Sequence, residues 1–347
     1  MKARILRIID ANCNRAREAL RVIEEIARFV LDDATMQAAL KQLRHDLARV
    51  VSPWQDAAIA WRDTAGDVGT QVSTSTEQTR EDAAHVARAN ASRVGEALRA
   101  IEEALKTLDP VAAQAVESIR YRFYDIERAL LLSLRPAGRM AQVRLCVLIT
   151  ESLCKRSWQE TARLAIDGGA DCLQLREKDL PAGELLARAR ELVAICRERE
   201  VVSIINDRPD IALLAGADGV HVGQDDLPTL ETRRLVGESM IVGTSTHSLA
   251  QAQQARRDGA DYVGIGPVFR SPTKPRDFVV PRDELSQVAR LPNLPALAIA
   301  GITESNLEEV LTLGFHRIAV TSAVLAAADP TAAATTLRNR LSAADGR

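Results

Sequence analysis

Polar side chains collect at the ends of short apolar runs in the second half of this chain, and their types point to phosphate chemistry. One run continues into Gln174-Leu175-Arg176-Glu177-Lys178. Strand alternation puts Gln174, Arg176 and Lys178 on one side. Two cations and an amide converging there suit a polyanion such as a pyrophosphate; the plainer alternative is a salt-bridged loop. The next runs end in Asn206-Asp207 and in His221-Val222-Gly223-Gln224-Asp225-Asp226. Carboxylates from neighbouring runs, few in number and beside a basic cluster, suit Mg2+ held by one or two acids plus substrate phosphate. Either acidic pair alone is as well explained by helix capping. Later ends supply Gly243-Thr244-Ser245-Thr246-His247, a loop with Ser271, Thr273 and Lys274, then Ala300-Gly301-Ile302 and Thr321-Ser322-Ala323. Glycines and hydroxyls after the last two runs match a site where backbone N–H groups bind a substrate phosphate. Such a site takes two phosphate groups, one chelated with a metal and one held by loops. The chemistry implied is a reaction between a pyrophosphate substrate and a monophosphate substrate.

The elements that must position these residues are eight strand candidates. They are Val143–Ile149, Cys172–Leu175, Val202–Ile205, Gly219–Val222, Ile241–Gly243, Tyr262–Ile265, Ala296–Ile299 and Arg317–Val320, each followed by a helical candidate. Strands alternating with helices imply a parallel sheet. Eight of them in this length imply a (β/α)8 TIM barrel, whose chemistry sits at the C-terminal strand ends. A doubly wound sheet is the alternative, but it needs no eightfold regularity.

The first half reads as helix from Asp10 to about Leu134, with a break over Ser52–Thr79. Residues 11–25 return 78 positions later as 89–103, with ten of fifteen positions identical. One long unit duplicated once implies two helical hairpins packed as an all-α four-helix bundle. The chain therefore divides into a helical domain, 1–135, and a barrel, 141–347. Arg15 with Glu18, or Arg21 with Glu25, lie one turn apart and can pair on a solvated face. A functional reading of the same repeat takes Asn12, Arg15, Asn90 and Arg93 as equivalent residues brought together about a pseudo-twofold axis. It adds Asp63 and Asp67 from the Gly-rich connecting segment as phosphate or metal candidates.

Composition removes several partners. With 45 basic and 47 acidic residues the net charge is −2, so no global basic field attracts nucleic acid or acidic lipid. Few aromatics argue against a base-stacking surface. Five cysteines without a C-x-x-C pair argue against a disulfide framework or a zinc site. No apolar window reaches the length of a membrane span. A cytoplasmic protein acting on small molecules is expected, with a homo-oligomer left open.

The strand-end elements also resemble the signature of thiamine phosphate synthase. In order they are Gln-Leu-Arg-x-Lys, Asn-Asp, Gly-Val-His-x-Gly-Gln-x-Asp, Ser-x-His, Gly-x-Gly-Pro-x-Phe and Thr-Lys, within Val143 to Ala328. The resemblance implies a transferase joining hydroxymethylpyrimidine diphosphate to a thiazole phosphate, giving thiamine phosphate and pyrophosphate. It implies that Gln174, Arg176, Lys178, Asn206, Ser245 and Lys274 bind the pyrimidine diphosphate. Arg176, Lys178, Ser245 and Lys274 would be the catalytic set, and Asp207 and Asp226 would take Mg2+. Ser271, Thr273, Gly301, Thr321 and Ser322 would receive the thiazole phosphate. Two positions depart from the family pattern: Ser271 stands for Thr, and Ala300 stands for a second Gly. The same resemblance implies dissociative loss of pyrophosphate without a protein nucleophile. No Ser–His–Asp arrangement is evident; His247 beside Ser245 is the one pair that could imitate one. The runner-up is a thiazole tautomerase of the same fold using His247 as acid and base. The helical half resembles the N-terminal extension of fused thiamine phosphate synthases, which implies a phosphomethylpyrimidine kinase. No Walker-type glycine loop supports it, and the competing reading is a non-catalytic dimerisation or docking bundle.

Overall fold

A computed structural model describes residues 2–62, 80, 82–134, 138–270 and 277–344. The chain divides into two compact units, Met1–Arg135 and Pro136–Arg347.

The first unit contains α1 (Lys2–Phe29), α2 (Ala34–Ala60), α3 (Ala83–Leu105) and α4 (Pro110–Ser133). Three starts are fixed by aspartate caps: Asp33, Asp82 and Asp109 accept from Met36, His85 and both Val111 and Ala112 backbone N–H groups. The i, i+3, i+4 apolar stripe of α1 (Ile9, Cys13, Ala16, Leu20, Ile23) shares one core with Ala91, Val94, Leu98 and Ile101 of α3. Alanines in both repeats, at 16, 19, 91 and 97, are fully or nearly buried and let the backbones approach. The break expected from Ser52 begins later, because α2 runs through Pro53 to Ala60. Val51 and Ala58 are buried on either side of the proline, so packing of the helix face outweighs the missing N–H.

The repeat's second glutamate pair is more than a solvated face. Arg21 does bridge Glu25 at 2.8 Å, but Glu24 and its repeat partner Glu102 are both buried. Glu24 meets Arg44 at 3.2 Å and Glu102 meets Arg120 at 2.9 Å, each tying one hairpin together. Arg120 is itself buried and also donates to the Tyr124 hydroxyl at 3.1 Å. Removing one partner of a buried pair strands the other. Arg120→Ala is therefore expected to cost about 3–5 kcal/mol in denaturant unfolding of the chain, whereas Arg99→Ala, on the solvated side of Glu102, costs about 0–1. Burial pushes the Glu102 carboxyl up, but hydrogen bonds from Lys106 and Arg120 outweigh it and hold it below the ordinary 4.5. A depressed folded pKa gives stability that is present above 4.5 and lost as pH falls through the folded value. Glu102→Gln should flatten that acid limb.

The second unit holds eight parallel strands that close in sequence order, β8 pairing with β1. They are β1 (Leu145–Ile149), β2 (Cys172–Leu175), β3 (Val202–Asn206), β4 (Gly219–Val222), β5 (Ile241–Thr246), β6 (Tyr262–Ile265), β7 (Ala296–Ile299) and β8 (Ile318–Val320). Helices α5 (Trp158–Asp167), α6 (Ala182–Glu198), α7 (Pro209–Ala215), α8 (Thr229–Val236), α9 (Leu249–Arg257), α10 (Arg282–Ala289), α11 (Leu307–Thr312), α12 (Ser322–Leu325) and α13 (Pro330–Ala344) lie between and after them. This is the (β/α)8 barrel expected from the alternation. Outward residues such as Val147, Leu173 and Val220 pack with the helices, while Cys146, Cys172, Val202, Ile204 and Tyr262 fill the lumen. Strand β5 is longer than the sequence suggests: its Thr244–Thr246 segment is polar but still pairs with β6. Among the described residues no helix is long and apolar enough to cross a membrane.

Candidate active site

A cavity of about 410 Å³ opens at the C-terminal ends of the strands. Its lining includes Gln174, Arg176 and Lys178 from the end of β2, Asn206 and Asp207 from β3, and Asp226 after β4. Ser245 and His247 line it from β5, with Gly301, Thr321 and Ser322 from the loops after β7 and β8. Ser271, Thr273 and Lys274 lie outside the described residues, as do Asp63 and Asp67 of the helical domain.

Alternation accounts for the β2 contribution. Cys172 fills the lumen, Gln174 is buried above it, and Arg176 follows at the rim, half-buried. Both backbone groups of Arg176 are tied to the neighbouring strand: its N–H donates to the Ile149 carbonyl at 2.8 Å and its carbonyl accepts from Thr150 Oγ1 at 2.9 Å. Among the described residues its guanidinium has no acidic partner. Lys178 is more exposed and its Nζ sits 3.1 Å from Asp207 Oδ2.

Asp207 and Asp226 come within hydrogen-bonding reach of each other, although 19 residues apart in sequence. Asp207 turns out of β3 with φ +63, a left-handed conformation that Asp tolerates better than most residues. Its N–H donates to the His221 carbonyl at 2.7 Å, which fixes the turn to β4. Asp226 Oδ2 accepts from the Gly223 N–H at 2.8 Å. Burial first, and the neighbouring Asp207 next, push the Asp226 carboxyl above the ordinary carboxylate range. Two carboxylates this close repel when both are charged, and a divalent cation between them would remove that repulsion. Among the described residues no cluster of three or more His, Cys, Asp or Glu is gathered. Two carboxylates are a donor set that suits an ion completing its shell with water and phosphate oxygens, as Mg2+ does.

Ser245 is fixed from two sides. The Gln224 side-chain amide donates to its carbonyl at 2.7 Å, and His221 Nε2 lies 2.9 Å from its Oγ. His221, not His247, is thus the imidazole that reaches this serine. The register explains it: His221 pairs with Gly243 across β4 and β5, so Ser245 stands one pleat further along the same face. His247 instead donates from Nδ1 to the Gly266 carbonyl and meets Phe278 edge to face, with ring centroids 5.4 Å apart. His221, Tyr262 and Arg270 are site residues that the sequence reading gave no role; His221 and Arg270 line the cavity, and Tyr262 stands behind His221.

The loop after β7 keeps its glycine-type path despite Ala300. Ala300 has φ +78 and Gly301 φ +67. A Cβ on Gly301 would meet the Arg270 carbonyl oxygen at 2.6 Å, so the second position admits no side chain. Ala300 bears the strain of the left-handed conformation, held by Phe269 N–H donating to its carbonyl at 3.2 Å.

In the helical domain Asn12 and Asn90 lie on α1 and α3, helices sharing one core. Each caps its own preceding turn, donating to the carbonyls of Ile8 and Val86 at 2.9 Å. Arg15 and Arg93 are exposed. Among the described residues no hydrogen bond or ion pair brings these four together.

Two family profiles match the chain: thiamine monophosphate synthase over residues 145–324 and the ThiD2 family over residues 7–129. A thiamine-phosphate synthase of Rhodopirellula baltica is 43% identical, covering 92% of this chain and 88% of the relative. One of Thermosynechococcus vestitus is 41% identical over 98% of this chain and 95% of its own length. Among solved structures, a thiamine phosphate pyrophosphorylase from Pyrococcus furiosus superposes with a TM-score of 0.54 at 33% identity, covering 59% of this chain and 98% of that one.

Proposed function

The chain belongs to the thiamine-phosphate synthase family of transferases, and from that premise we propose how its own residues carry the reaction. The barrel mouth binds hydroxymethylpyrimidine diphosphate and a thiazole phosphate and releases thiamine phosphate and pyrophosphate. The observation that carries this reading is Arg176, a half-buried cation in the cavity without an acidic partner among the described residues, beside a pair of mutually repelling carboxylates. A diphosphate with its divalent counter-ion satisfies both at once.

Asp207 and Asp226 would hold Mg2+, which when bound supplies positive charge against the diphosphate oxygens. Arg176, Lys178 and, by resemblance, Lys274 neutralise the charge that grows on the departing pyrophosphate. Gln174 and Asn206 orient the pyrimidine end. The electron-rich ring bears the developing positive charge at its methylene carbon. The thiazole nitrogen, positioned through a phosphate at Gly301, Thr321 and Ser322 with Ser271 and Thr273, then forms the new C–N bond. Positioning and electrostatics suffice, with no protein nucleophile. The tautomerase alternative asks His247, which lines the same cavity with Nδ1 held on the Gly266 carbonyl, to shuttle protons through Nε2. Thiazole phosphate incubated alone with the purified chain should keep its tautomer; a catalysed tautomer shift without condensation would overturn the synthase reading.

The ThiD2 match supports a kinase role for the helical half, adding a phosphate to hydroxymethylpyrimidine phosphate and so making the barrel's substrate. The competing reading keeps the helical half as a non-catalytic dimerisation or docking bundle. Full chain given the pyrimidine monophosphate, ATP and thiazole phosphate should form thiamine phosphate; formation only from the ready-made diphosphate would leave the docking reading.

A further inference from the structure

We propose that a hydrogen-bond relay runs from Tyr262 through His221 to Ser245 and fixes the Ser245 hydroxyl as a donor toward the cavity. His221 Nδ1 faces the Tyr262 hydroxyl at 3.0 Å, and Nε2 faces Ser245 Oγ at 2.9 Å. A neutral imidazole carries one N–H, so one of these contacts is donated to the ring and the other is donated by it. The two hydroxyls differ in acidity. Phenol is a far stronger acid than an alkyl alcohol, and an unprotonated imidazole nitrogen is a better acceptor than a phenol oxygen. The Tyr262 O–H therefore donates to Nδ1, and the ring proton sits on Nε2.

Burial, before any neighbouring charge, pushes the Tyr262 pKa well above its ordinary value. The phenol accordingly keeps the proton that the relay needs. Nε2–H then donates to Ser245 Oγ, and the serine's own proton is left for an acceptor in the cavity it lines. The opposite polarity would give the serine proton to His221, the arrangement of an activated nucleophile. Acidity selects against it, and Ser245 becomes a donor to a ligand's phosphate oxygen or ring nitrogen.

Space for the relay is built into the neighbouring strands. A Cβ at Gly243 would lie 2.1 Å from Tyr262 Cζ, and one at Gly264 would lie 3.3 Å from His221 Cε1. Glycine at 243 leaves room for the phenol inside the lumen, where Gln174 stands beside its hydroxyl. His221 and Tyr262 are thus positioning residues that act through Ser245. The use of that donor rests on the proposed function, but the direction of the relay does not.

The test separates the two. In the ligand-free full chain, 15N-histidine NMR reads which nitrogen of His221 bears the proton, its signal being the one lost in His221→Gln. The relay gives a protonated Nε2 and a bare Nδ1; the reverse assignment overturns it, whatever the chain catalyses. Tyr262→Phe should release the tautomer and lower kcat/KM for the pyrimidine diphosphate roughly tenfold, the scale of one lost hydrogen bond. The double variant Tyr262→Phe/Ser245→Ala should be no slower than Ser245→Ala alone, because both changes act through one hydroxyl. Independent, multiplying losses would show a merely structural tyrosine and overturn the relay.

Discussion

Replacing Arg176 by Met lowers kcat/KM for the pyrimidine diphosphate by about 10²–10³-fold, the range for removing one preorganised charge-stabilising donor. The loss falls on both binding and departure of the pyrophosphate, so KM for that substrate rises and kcat drops, while KM for the thiazole phosphate stays near the parent value. Stability behaves differently. The guanidinium has no acidic partner among the described residues and lies near Lys178 in the same cavity, so its removal takes no native ion pair away. Arg176→Met should melt at or above the parent temperature in the absence of ligand, as expected where a site holds charge in readiness for its ligand. Arg176→Lys should recover part of the rate, since a point charge remains but the bidentate fork is lost. A variant that melts early and keeps its rate would assign Arg176 to the fold instead of the reaction.

The second large effect concerns the carboxylate pair. Asp226→Asn should shift the Mg2+ concentration for half-maximal rate upward by at least about 10–100-fold, the cost of changing even an outer partner of a metal ligand, with the rate at limiting metal falling in proportion and partly restored at high metal. The Asn carbonyl can still accept from the Gly223 N–H, which Asp226 Oδ2 meets at 2.8 Å. The loop therefore survives the change. Removing one of two adjacent negative charges also relieves their repulsion, so the metal-free variant should unfold at a higher denaturant concentration than the parent. An unchanged Mg2+ dependence would remove Asp226 from the metal site.

What could be read from sequence depended on whether it was local. Eight short apolar runs with intervening amphipathic stretches carry the barrel, and alternation along β2 puts Gln174 and Arg176, two and four residues after Cys172, on one side. Relations between strands were harder. The contact of His221 with Ser245 is set by the β4–β5 register, and β5 looked finished at Gly243 because Thr244, Ser245 and Thr246 are polar. They pair with β6 nonetheless, and polar residues on an inward face at a barrel mouth need no apolar signal. Alternation from Tyr262 through Gly264 would have been the clue to the tyrosine's inward position. In the helical half the repeat located the hairpins, but a Glu-Glu doublet reads as solvated on both counts. Only the packing of α2 and α4 shows that Glu24 and Glu102 are buried against Arg44 and Arg120. Pro53 misplaced the helix end for a related reason: local propensity was overruled by the buried residues around it.

The most direct measurement follows the phosphorus. Full chain, hydroxymethylpyrimidine diphosphate, thiazole phosphate and Mg2+ are combined, and 31P NMR records the phosphate species with time. Thiamine phosphate and pyrophosphate should grow together in equal amounts, at a rate that collapses in Arg176→Met. Orthophosphate in place of pyrophosphate, or consumption of either substrate without the matched pair of products, would contradict the assignment of the barrel mouth as the site where the two phosphates meet.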